Sequence, residues 1–88
     1  MSAVDDALLE ELRLRSRLNA LVHERAEAVR EADRLATRSE LPGAEAELVA
    51  TATRWRTVAD GVAGEIDEQR AALRRQEAEV ARLRGPEA

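Results

Sequence analysis

The chain contains no cysteine, tyrosine, phenylalanine or lysine, and only one tryptophan and one histidine in 88 residues. Without cysteine there is no disulfide framework and no thiolate metal site, and the redox compartment stays open. The lack of aromatics, one Trp in the whole chain, argues against a thick globular core, because such side chains supply much of the volume of one. Proline (two) and glycine (four) are scarce as well, so long stretches run without punctuation. No apolar run approaches the ~20 residues of a membrane-spanning helix. The opening Met1-Ser2-Ala3-Val4-Asp5-Asp6 is acidic and lacks the basic-then-apolar layout of a signal peptide. The expected location is therefore cytoplasmic, with leaderless export left open.

What the chain does have is charge and helix formers. Charged residues make up 36% and hydrophobic residues 44%. Ala, Leu, Glu and Arg dominate, the composition of a long helix or coiled coil. The apolar fraction is too high and too periodic for a disordered chain. Eighteen acids against fourteen bases, all of them Arg, give a net charge of −4. That balance argues against a general nucleic-acid partner, which needs a basic surface. The signs also interleave, as in Glu10/Arg13, Glu11/Arg15, Arg56/Asp60 and Arg75/Glu79. Such i,i+3 and i,i+4 pairs mark a solvated helix face.

The strongest pattern is an uninterrupted heptad ladder: Leu48, Ala52, Trp55, Ala59, Val62, Ile66, Gln69, Leu73, Gln76, Val80, Leu83. The spacing alternates four and three, with Leu48 at d and Ala52 at a, and the two glutamines are its only polar members. A 3.5-residue repeat kept this long predicts a helix lying along another helix. An earlier helical pattern runs to about Arg38, opened by a Ser2…Asp5 capping box. Its apolar positions are Val4, Leu8, Leu12, Leu18, Leu21, Val22, Val29, Ala32, Leu35 and Ala36. This stripe is wider than a coiled-coil seam and predicts more than one neighbour.

Ser39-Glu40-Leu41-Pro42-Gly43 is the one strong break before the end. Arg34 and Arg38 close the first helix; Glu40, Glu45 and Glu47 are expected to open the second, each sign complementing its helix dipole. Gly85-Pro86 ends the second helix. The expected fold is all-α: a long antiparallel two-helix hairpin in one domain, residues 1–88. Helix one covers about 3–38, the turn 39–43 and helix two about 44–84. A short connection between two long helices forces antiparallel neighbours. Residue i then faces roughly residue 84 − i, which sets Trp55 against Ala28, Val29 and Ala32, a large ring against small partners.

Helix two carries a second signal. Its f positions, Ala50, Thr57, Gly64, Ala71 and Ala78, are all small, and Gly61 adjoins them. Each mid-helix glycine costs about 1 kcal/mol against alanine, so close approach of another helix, or a flexible joint, is expected to offset it. Gln69 and Gln76 in the seam either fix register and partner number or mark a wetter distal arm. Small scaffolds without disulfides or metals commonly oligomerise.

Searching for chemistry returns little. His23 and Glu27 are i,i+4 neighbours, yet the Glu-x-x-His of di-metal bundles is absent, since Ala20 stands three residues before His23. His23 is expected to face solvent near Asp60. Leu18–Val29 resembles the first helix of all-helical chorismate mutases, with Arg25 where one substrate-binding arginine would lie. That family's other arginine and its lysine fall at Leu8 and Ala36, and the ladder leaves no room for its third helix. Arg25 reads as an aliphatic stem running along the seam. The layout is similar to the tRNA-binding arm of seryl-tRNA synthetases, with Glu24-Arg25 partway along the first helix, though Ala26 follows where that arm carries Asn. It also resembles small helical-hairpin substrates of type VII secretion; here Trp55-Arg56-Thr57 sits within helix two rather than Trp-x-Gly at the turn.

The sequence thus reads as a non-enzymatic coiled-coil module for protein–protein association. It calls for no catalytic residues, cofactor or metal. The expected partner is a second copy (homodimer or higher) or another coiled-coil protein. The expected interface residues are Trp55, Val62, Ile66, Leu73 and Val80 as anchors, Ala28 and Ala32 receiving Trp55, and Gly61 and Gly64 at the closest approach. The alternatives are an RNA-binding arm or a secretion substrate.

Overall fold

Ser2 starts the structure as the sequence predicts: its Oγ accepts the Asp5 backbone N–H at 3.1 Å, satisfying one of the free donors of a first turn. From there α1 runs over Ala3–Ser39. A second helix, α2, covers Ala46–Arg84. The computed structural model describes residues 2–43 and 45–85; Ala44 and Pro86, expected to start and to follow helix two, lie outside them. The connection turns at Gly43, whose φ of +82° suits a residue without Cβ. Gly85, at φ +77°, closes α2, and its N–H reaches the carbonyls of Ala81 and Arg82.

One terminus differs from expectation. Glu40 does not open helix two; it is the C-cap of α1, with its N–H donating to Thr37 O at 3.3 Å. α1 runs one residue past Arg38 to Ser39, whose hydroxyl donates to Ala36 O at 2.7 Å. An acid therefore sits at the negative end of α1, while Glu45 and Glu47 hold the favourable positions on α2.

The two helices lie antiparallel in a rod measuring 66 × 17 × 15 Å. Its radius of gyration is 19.6 Å, against about 12 Å for a compact chain of this length. Among the described residues the core is a single seam. On α2 the whole a row, Ala52, Ala59, Ile66, Leu73 and Val80, is buried together with Val62 at d. On α1 the buried residues are Ala7, Leu21, Ala28, Ala32 and Leu35. This corrects the helix-one stripe. The inward face follows the heptad Ala7, Leu14, Leu21, Ala28, Leu35, while Leu12 at 60% and Val22 at 44% exposure point away.

Gln69 and Gln76 set the register. Their Nε2 atoms donate to the backbone carbonyls of Leu14 (3.2 Å) and Ala7 (2.9 Å). Both are one heptad apart on both helices, and the facing numbers add to 83. Each bond adds about 1 kcal/mol and ties the end of the hairpin opposite the turn, where helix one begins. The seam is thickest mid-rod, where Leu21 packs on Val62 and Ile66 beside Leu18. Between this cluster and Leu35 at the turn end, it is built from alanines, Ala28, Ala32, Ala52 and Ala59. For a side chain as small as Ala32 to be 1% exposed, the two backbones must come close.

Candidate association surfaces

The residues singled out from sequence divide into two groups. Val62, Ile66, Leu73 and Val80 are buried between the hairpin's own helices, so a closed hairpin has little of them left to offer a partner. Ala28 and Ala32 are buried in the same seam. Trp55 is different. It holds a d position yet remains 38% exposed, because an indole is too wide to enter a seam narrowed by alanines. It sits instead on the wall of a groove, with Ala28 on the floor.

Gly61 and Gly64 lie on the exposed side of α2, and a Cβ built on either meets nothing within 4 Å. Nothing inside the hairpin therefore requires glycine there. Replacing both with alanine is expected to stabilise the isolated hairpin by about 1 kcal/mol each, the helix-propensity difference. A thermal melt at low protein concentration checks this; a loss of stability would show that the glycines serve the fold itself.

Two long grooves flank the seam. The first holds Trp55 and Val58 on α2 and Glu24, Glu27, Glu31 and Arg34 on α1. Here Arg34 Nε bonds Glu31 Oε2 at 3.2 Å, and this hydrogen bond holds the Glu31 carboxyl below its usual range. Arg82 does the same for Glu79, so Glu79 turns to Arg82 rather than to the expected Arg75. His23 pairs with Glu27, Nε2 to Oε1 at 3.1 Å, and not with Asp60, which lies in the opposite groove beside Arg25, Val29, Asp33 and Arg56.

That second groove is walled on α1 by Val22, Ala26 and Val29. Arg25 occupies a seam position in the α1 heptad but its side chain lies along this groove, exposed, next to Ile66 and Ala63, the arrangement expected of a long aliphatic stem with a wet head. Further along the same side, Arg15 bridges the helices to Glu77 at 3.0 Å and reaches Glu11 at 3.6 Å. The sequence named Leu12, Val22, Val29 and Ala36 of this outer α1 face without separating them from the seam, and left Ala26 out of the stripe. Their signal was present in the adjacent apolar pairs of helix one, but all four were assigned to one broad stripe.

Among the described residues no group of three or more His, Cys, Asp or Glu side chains is placed to hold a metal ion. No described helix is long and apolar enough to cross a membrane. Compared with models of known families, with curated proteins and with solved structures, the chain has no significant match.

Proposed function

We propose that this chain is a non-enzymatic coiled-coil association module, which buries its remaining apolar surface against helices of a second copy or of a partner protein. The supporting observation is surface. The hairpin exposes 6360 Å², whereas a compact monomer of 9.7 kDa exposes about 5,100 Å². The excess of roughly 1,200 Å² exceeds the ~800 Å² that each partner gives up in a standard interface. Leu9, Leu12, Val22, Val49, Trp55 and Val58 are among the apolar side chains left outside, more than a two-helix rod can cover.

The test is the mass of the purified chain by light scattering, with circular dichroism, across a wide concentration range. An association module gains mass and melting temperature together as concentration rises. In that setting Gly64→Leu keeps its helicity, since its Cβ meets open space, and it tests whether a helix approaches this face of α2: only such an approach is blocked by the leucine and weakens assembly. Assembly unchanged in Gly64→Leu would remove the close-approach role of the glycines. A folded monomer that gains nothing with concentration and takes up no partner helix would overturn the reading.

A further inference from the structure

The outer face of α1 carries a second heptad ladder, separate from the seam: Leu8, Leu12, Val22, Ala26, Val29 and Ala36. The remaining members are Arg15, Asn19 and Asp33, which complete an unbroken four–three spacing from residue 8 to residue 36. Every member is exposed or half-buried in the hairpin, and Val49 of α2 extends the face near the turn. A ladder of this period expects a helix beside it, and within the hairpin that side of α1 has none.

We infer that this ladder is covered by the same ladder of a second copy, run antiparallel, so that two hairpins close into a four-helix bundle. The inference rests on the association reading above and specifies its partner and surface. Its warrant is self-complementarity. In a two-fold antiparallel pairing each residue meets a different one on the partner. One register sets Leu12 against Ala36, Val22 against Ala26, and Arg15 against Asp33. Large residues then meet small ones in two layers, and the two charged members of the ladder meet each other with opposite sign. Asn19 meets Val29 and, at the end of the ladder, Leu8 meets Glu40, the two poorest layers. The Asp33 carboxylate has no ion-pair partner among the described residues. The α2 rim of this groove, Arg56, Asp60, Asp67 and Arg70, balances two charges of each sign and so presents no net repulsion to its own copy. The opposite groove is less suited to self-pairing: its α1 wall carries Glu24, Glu27 and Glu31 against Arg30 and Arg34 and has no comparable apolar ladder.

The experiment is charge reversal with rescue, read as the dimer dissociation constant by analytical ultracentrifugation. Arg15→Asp and Asp33→Arg each place like charges in two symmetry-related layers and are expected to weaken the dimer at least tenfold. The double variant restores it to within about threefold. Helicity is followed in parallel; Asp33→Arg breaks no ion pair of the hairpin, so it reports on the interface even if Arg15→Asp, which gives up Glu77, loosens the fold. Orientation is read independently by mixing a Leu12→Cys chain with an Ala36→Cys chain in mild oxidant, the protein having no other cysteine. The antiparallel register forms the mixed disulfide; a parallel pair joins Leu12→Cys chains to each other. A dimer indifferent to both reversals overturns this surface while leaving the association reading in place. A wild-type chain that stays monomeric at high concentration overturns the second copy as partner, and the association reading then stands or falls on a foreign helix.

Discussion

Leu21→Ala lowers the unfolding free energy by about 3 kcal/mol, the usual cost of a cavity left by a buried leucine. Leu21 is the largest fully buried side chain, 2% exposed, and it joins Val62 and Ile66 across the thickest part of the seam. A chain of this length holds roughly 4–13 kcal/mol in total, so the melting temperature falls by roughly 12–24 °C. Leu21→Asp places an unpaired charge at the same point and abolishes the folded hairpin, seen as loss of helical dichroism. A change below about 1 kcal/mol in the alanine variant would mean that the mid-rod cluster is not where stability resides.

The opposite manipulation has a comparable effect nearer the turn. Ala32→Leu is expected to destabilise the hairpin by about 1–3 kcal/mol through overpacking, although leucine is the more hydrophobic residue. Ala32 is 1% exposed and belongs to a stretch of seam whose other buried members include Ala28, Ala52 and Ala59, so extra carbons must push the helices apart. Ala50→Leu, on the exposed side of α2, serves as the control and changes the melt of the dilute hairpin by less than about 0.5 kcal/mol. Equal effects at the two sites would refute a narrow seam.

The hairpin itself was legible because its signals are local and redundant. The α2 ladder, the Ser2 cap and the Pro42-Gly43 break all point the same way, and the facing register inferred from the turn differs by one residue from that set by Gln69 and Gln76. Helix one was read less well. Its seam includes Glu11 and Arg25 at heptad positions and uses the small Ala7 and Ala28, so hydropathy under-weighted the true face and favoured Leu12 and Val22. Trp55 was placed opposite Ala28, where it lies, but size complementarity alone does not reveal that a ring can pack on the rim of a seam instead of in it. The surfaces were the least legible part: a residue's exposure depends on which of two apolar faces a helix turns inward, and only packing decides that.

The carbonyl-bound glutamines also govern how the rod responds to load. They tie the end where α1 begins and α2 finishes, so a pull that separates those two points meets the Val80 layer, then Gln76, Leu73 and Gln69, before the mid-rod cluster. The seam then opens like a zipper, one heptad layer after another, each needing little force and able to close again behind the next. A pull directed lengthwise between the two helices strains all the layers together, and the same interactions resist it as a unit. The direction of tension therefore decides whether this hairpin acts as a compliant spring or as a stiff strut.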